Sequence, residues 1–374
     1  MRPSGIGGQA VIEGVMMRNK KNYAVAVRTP NDSIEISKGI YVGITERIFL
    51  FKLPILRGVA AFIDSLILGM RTLMFSASFY EEEELDKDAS LRERRSKAAK
   101  EKKEKKEAIV MGMVMAISII FALAIFMLIP FALAELFKGR IESYVVRSII
   151  EGVIRLIMFI LYVKAITFMK EIKRVFMYHG AEHKVINCVE RGLELNVDNA
   201  RKQSKEHKRC GTSFLLYVVL ITMIVFLFIQ TDTLWLRILL RIVLIPIIAG
   251  IAYEFIRFAG RSKGRVMDIL SRPGMWLQAL TTKEPTDDML EVAIASVEAV
   301  FDWRKYQGRD YEQTEETEET PMDVKKPAFE TITIDGEDDF AEASEEIAGE
   351  KEESIEDILR ELESYTKNIK KSDE

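Results

Sequence analysis

The sequence predicts a mainly α-helical membrane protein with a small antiparallel β-sheet near its amino terminus, and three observations predict it. Ile109–Ala134 runs 26 residues without a charge, enough at about 1.5 Å per residue to outspan a ~30 Å hydrocarbon core. Three further apolar runs follow at 145–169, 213–229 and 234–258. The connections alternate in charge. Nine Lys/Arg fall in 92–106 and ten in 170–209, followed by Arg261, Lys263, Arg265 and Arg272. The intervening connections, around Lys138 and Arg140 and at 230–233, carry almost no excess base. Under the positive-inside bias this gives about four transmembrane helices in the cell membrane with both termini cytoplasmic.

Residues 1–47 read as a small cytoplasmic β region. Strands are expected at 10–17, 23–29 and 33–37, with Pro30-Asn31-Asp32 as a turn. The amino-terminal residues show no apolar core of signal-peptide type, and Gly7-Gly8-Gln9 lacks the Gly-Lys-Ser/Thr of a phosphate loop. Residues 48–80 are apolar but punctuated by Arg57, Asp64 and Arg71 at heptad spacing. These share one stripe, as suits an amphipathic helix lying in the interface or re-entering it. Residues 81–107 alternate in charge and predict a solvated cytoplasmic helix that feeds the first span.

Residues 108–258 form the transmembrane bundle, with a cytoplasmic loop at 170–212. The embedded charges Glu151, Arg155, Lys164, Arg241 and Glu254 belong at helix ends or facing the bundle, because a charge at mid-bilayer costs about 2.5 kcal/mol or more. Residues 259–305 follow as a cytoplasmic carboxy-terminal segment. The remainder, 306–374, is an acidic tail. Residues 310–374 hold 24 acids against 7 bases, a net of −17, which leaves +13 on residues 1–309. Such a tail cannot bury enough apolar surface to fold alone and suits a basic partner. The whole-chain net charge of −4 and mean hydropathy of +0.05 are averages over these unlike parts. No nucleic-acid partner is expected; the expected surroundings are the lipid bilayer.

Chemistry is concentrated in one place. His179, His183 and His207 are the three histidines and Cys188 and Cys210 the two cysteines, all within residues 179–210. Two cysteines in 374 residues exclude a disulfide-built secreted scaffold. His179-x-x-Glu182-His183 places three side chains on one face of a helix, so that two imidazoles can share a metal beside a carboxylate able to take a proton from water. Gly192 reads as the stop of that helix. Asn187 and Glu190 fall near the same face as supporting groups, whereas Cys188 lies about 140° round and reads as a small core residue. His207-x-x-Cys210 has a spacing that lets both reach the same metal. Four protein ligands would make a closed structural site and three an open catalytic one, and the sequence leaves that choice open. Glu254 is a further candidate ligand, with an ion pair to Arg257 as its structural alternative. The donor types favour Zn²⁺ among divalent metals.

Several segments carry a family resemblance: Gly7-Gly-Gln-Ala-Val-Ile-Glu-Gly-Val-Met-Met-Arg18, Tyr178-His-Gly-Ala-Glu-His-Lys184, Arg209-Cys-Gly-Thr-Ser213, Arg272-Pro-Gly-Met-Trp-Leu-Gln278 and Leu280-Thr-Thr-Lys-Glu-Pro285. Over roughly residues 5–300 the chain resembles the bacterial YqhQ-like family of multi-pass membrane proteins, of unknown function and described as predicted metal-dependent enzymes. The resemblance implies a metal on His179 and His183 with Glu182 beside it, draws attention to Glu13 and Glu284, and excludes the extension after residue 305. The expected function is therefore a metal-dependent enzyme, a hydrolase with Glu182 as its general base, acting near the bilayer on a lipid-linked or membrane-protein substrate. The rival expectations are a membrane scaffold stapled by a structural metal, and a transporter accessory protein.

Overall fold

A computed structural model of the chain describes residues 3–85, 97–229, 231, 233–260, 262 and 264–308. The acidic tail beyond residue 308 lies outside the described residues, as do 86–96 of the charged segment. Four strands, β1 (Ile6–Val11), β2 (Gly14–Asn19), β3 (Asn22–Arg28) and β4 (Ile34–Ile40), form an antiparallel meander in sequence order. The strand expected at 10–17 is in fact broken by a hairpin. Val11 pairs with Gly14, and between them Glu13 turns the chain at φ 49°.

The sheet is covered on both faces, which is why Val15-Met-Met17 and Ala24-Val-Ala-Val27 read as nearly continuous apolar runs. Val11, Met16, Val25 and Val27 face α2 (Leu56–Leu85) through Leu68, Phe75 and Phe79. Val15, Met17 and Ala26 face a core shared with Tyr178, Val185, Met289 and Leu290. Those four lie on α5 (Lys170–Glu190) and α10 (Asp287–Val300). A short helix α1 (Ile44–Arg47) leads into α2.

The bundle is built from α3 (Lys97–Glu135), α4 (Tyr144–Ile166), α7 (Gly211–Phe226) and α8 (Leu234–Ala259), with α9 (Arg265–Thr281) packed across its end. Short α6 (Val197–Arg201) and α11 (Trp303–Gln307) complete the fold. Phe159, Val163, Leu216 and Leu277 are its buried centre. Among the described residues three segments are long and apolar enough to cross a membrane: Leu56–Tyr80, Gly112–Glu135 and Trp235–Ala259. The first differs in its surroundings. It starts where Ile55 meets Gly250 so closely that a Cβ there would stand 2.5 Å from the Ile55 carbonyl oxygen. It ends on the sheet, where Tyr80 Oη donates to the Arg28 carbonyl at 2.5 Å.

The embedded charges fall into separate groups. Glu151 pairs with Arg155 at 2.5 Å and Arg241 at 2.7 Å, whereas Glu254 receives two bonds of 2.5 Å from Arg57. Arg57 thus takes the place expected of Arg257. The Arg57/Asp64/Arg71 stripe does not face one cavity: Asp64 accepts from Tyr41 Oη and the Ile44 amide, both at 3.0 Å, and Arg71 is exposed. Lys164 is exposed too. Among the described residues these charges do not line a single polar path through the bundle, which removes the observation that favoured a transporter.

Candidate metal centre

Helix α5 carries His179, Glu182 and His183 on one face, as the i, i+3, i+4 spacing requires. Its end is a Schellman motif: the Leu193 amide donates to Cys188 O at 3.2 Å, the Gly192 amide donates to Val189 O at 3.1 Å, and Gly192 has φ 76°. Cys188, a quarter-turn and more away from the histidines, packs in the core with α10.

Cys210 arrives from the other side as the N-cap of α7, its sulfur accepting from the Thr212 amide at 3.4 Å. The ligand atoms of His179, His183 and Cys210 all lie within 4.8 Å of one another, and Cys210 Sγ is 3.2 Å from His179 Nε2. The backbone sets both imidazoles. His179 Nδ1 donates to Thr281 O at 2.9 Å and His183 Nδ1 donates to Lys205 O at 2.7 Å. A carbonyl can only accept, so each ring keeps its proton on Nδ1 and turns Nε2 toward Cys210.

The electrostatics match. Burial alone would raise the Cys210 thiol, but His179 and His183 hold it well below its usual range. Burial likewise opposes charge on His179, and the Cys210 sulfur outweighs it and lifts the imidazole to about 9. Glu182 is buried, and burial holds its carboxyl above the usual range against the pull of both histidines. The Gly8 amide reaches this carboxylate, while Oε2 is buried with no hydrogen-bond partner among the described residues. His183 and Cys210 are buried, whereas His179 stays partly exposed.

The other sequence candidates serve as a frame. His207 does not join the group of three. Its Nε2 lies 3.5 Å from Glu190 Oε2, and its backbone amide and carbonyl are both held by Gln278, at 2.9 and 2.8 Å. Glu190 also accepts from the Ser4 amide at 2.8 Å and pairs with Arg209. Although partly buried, it is held down to about 2, chiefly by His207 and Ser4. Asn187 donates to Ser204 O and Glu206 O at 2.7 and 3.0 Å, pinning the loop that supplies Lys205. Glu13 pairs with Arg174 and accepts from Tyr178 Oη at 3.2 Å. Glu284 pairs with the buried Lys184 amine. Glu254, on α8 and bound to Arg57 of α2, is not part of the cluster.

Sequence reasoning missed Thr281, Lys205, Gln278 and Gly8, because the first two act through backbone carbonyls and the others from distant elements. The signal was present in the glycines. A Cβ on Gly180 would stand 2.0 Å from Lys283 O, and one on Gly8 would stand 2.8 Å from the Glu182 carboxylate.

A family model described as "Protein of unknown function (DUF1385)" matches residues 53–303. The chain is 38% identical over 295 residues to "Uncharacterized protein YqhQ" of Bacillus subtilis (strain 168), an alignment covering 79% of this chain and 91% of that protein. No solved structure matches.

Proposed function

The chain belongs to this family of unknown function, and from the geometry of its histidine–cysteine cluster we propose that it is a metal-dependent hydrolase working at a membrane surface. The observation that carries the reading is the convergence of two imidazole Nε2 atoms and one thiolate within 4.8 Å, next to a buried carboxylate with an unused oxygen. Ligands of one tetrahedral Zn²⁺ stand about 3.3–3.8 Å apart, so the three donors need move by no more than about 1 Å. Two nitrogens and one sulfur favour zinc over the harder divalent ions.

His179, His183 and Cys210 would hold the ion, with His207 left to Glu190 and the fourth position free, which is the open arrangement of a catalytic site. A bound zinc would supply Lewis acidity and make water a stronger acid at neutral pH. Glu182 takes the proton, at Oε2, because burial makes it proton-avid and Gly8 engages the same carboxylate. Thr281 and Lys205 keep the rings oriented, and Gln278 keeps the 205–207 loop in place.

The membrane assignment rests on α3 and α8 by length and composition, with α4 and shorter α7 completing four spans. The sheet, α5 and α10 form the cytoplasmic mass on the basic side of the bundle. In this reading α2 stays at the surface, since its second half is committed to the sheet. α9, whose carboxy-terminal end supplies Thr281, exposes Val266, Ile269 and Trp276 along its length, as suits a helix lying at lipid headgroups, and a lipid-linked or membrane-protein substrate fits that position.

The 3.2 Å contact between Cys210 Sγ and His179 Nε2 favours one second reading, a metal-free thiolate–imidazolium nucleophile. The test uses the purified full chain in vesicles of bacterial polar lipid and ¹⁸O-labelled water, with mass spectrometry of released fragments. Labelled product from zinc-loaded wild type, none from a Glu182→Gln variant that retains its zinc, and loss on chelation are expected. Equal labelling in Glu182→Gln overturns the base assignment, and activity that survives chelation but not thiol alkylation moves the reading to the cysteine nucleophile.

A further inference from the structure

At the opposite end of the bundle, about 35 Å away along the 23 residues of α4, arginines gather around a small cleft open to the surface. Arg147, Arg237 and Arg241 line it together with Glu135 and Glu151. Both carboxylates are already shared. Glu135 lies 3.0 Å from Lys138 and 3.7 Å from Arg237, and Glu151 takes Arg155 and Arg241. Arg147 instead donates to the carbonyls of Ile141 and Glu142, at 2.6 and 2.9 Å, and Arg237 donates to Thr231 O at 2.6 Å. Carbonyls fix a guanidinium without cancelling its charge. Among the described residues Lys138, Arg147, Arg155, Arg237 and Arg241 therefore meet two carboxylates here, and the adjoining turn adds Arg140 and Glu142, one of each charge.

Two further features mark the cleft. Arg241 is 4% exposed and its Nε is buried without an acceptor among the described residues. The first turns of α4 and α8 both open there, adding the positive ends of two helix dipoles. The Phe131 ring lies 5.0 Å from the Arg241 guanidinium and 5.7 Å from that of Arg237, which orients both and excludes water on one side. Surplus positive charge in an apolar bundle is costly unless an anion offsets it.

We propose that this cleft binds a phosphate-type oxyanion, at a site separate from the histidine–cysteine cluster and independent of the hydrolase reading. Forked guanidinium groups suit a phosphate better than an ammonium would. Arg237 and Arg241 are the fourth and eighth residues of α8, so the site reaches from the helix end to about 11 Å depth, the level at which a lipid phosphate and its glycerol would sit. A lipid headgroup and a free phosphate share this chemistry, and the test separates them.

Purified full-length protein in detergent is unfolded thermally with inorganic phosphate, with phosphatidylglycerol, or with diacylglycerol of the same acyl chains. Phosphatidylglycerol is expected to raise Tm by about 5 °C over diacylglycerol at saturation, with inorganic phosphate giving less. A shift from inorganic phosphate as large as that from the lipid assigns the site to a soluble oxyanion. Arg147→Gln with Arg237→Gln should remove most of the shift, while Arg147→Lys with Arg237→Lys, the safeguard against a folding defect, should keep part of it. Equal Tm with phosphatidylglycerol, phosphate and diacylglycerol, or an undiminished shift in the double Gln variant, overturns the proposal.

Discussion

Replacing Gly180 by alanine tests how the site is assembled. The new Cβ would stand 2.0 Å from Lys283 O, whereas ordinary contact begins at about 3.4 Å, so α5 and the 281–285 segment must separate by about 1.4 Å. The clash is with backbone, which cannot rotate away, and overpacking of this kind costs about 1–3 kcal/mol. The same segment supplies Thr281 O to His179 Nδ1 at 2.9 Å. If half the separation falls along that bond it lengthens to about 3.6 Å and ceases to be a hydrogen bond. Losing such a partner typically weakens metal affinity about 10- to 100-fold, or about 1.4–2.7 kcal/mol. Competition for zinc against a chromophoric chelator measures this directly, with Gly112→Ala, where a Cβ meets nothing within 4 Å, as control. Wild-type zinc affinity in a folded Gly180→Ala protein would refute the claim that this close approach orients His179.

Other perturbations separate the cluster from its frame. Cys210→Ala should remove bound zinc while Cys188→Ala keeps it, by elemental analysis, because Cys188 faces the core shared with α10. Gln278→Leu leaves the His207 amide and carbonyl without partners at a fully buried position, and should cost about 3 kcal/mol in denaturant unfolding. The Glu190 carboxyl is held down to about 2 in the fold, so its contribution is present above the unfolded value of about 4.3 and is lost as pH falls toward 2. After discounting for partial exposure that contribution is about 1–2 kcal/mol. Glu190→Gln should remove it at pH 7 and flatten stability between pH 4.5 and 2.

The candidate cluster is legible in the sequence because its residues are rare and local. Three histidines confined to one loop, the i, i+3, i+4 spacing and the Gly192 stop predict α5 and the face that carries His179, Glu182 and His183. Cys188 was rightly turned away by helix phase. What the sequence hid was long-range. Whether His207 binds metal or Glu190 depends on Gln278 and Ser4, 71 and 186 residues from their partners. The hairpin at Ile12-Glu13 was hidden because a sheet covered on both faces loses its alternation. Helix α2 carries a related conflict: its apolar length suits a bilayer, yet part of that surface packs on the sheet.

X-ray absorption at the zinc edge of the purified protein tests whether His179, His183 and Cys210 hold one zinc ion. Two nitrogen scatterers at about 2.0–2.1 Å and one sulfur at about 2.3 Å are expected, the sulfur shell vanishing in Cys210→Ser. A metal shell of oxygen alone, or a sulfur shell unchanged by Cys210→Ser, would contradict this assignment.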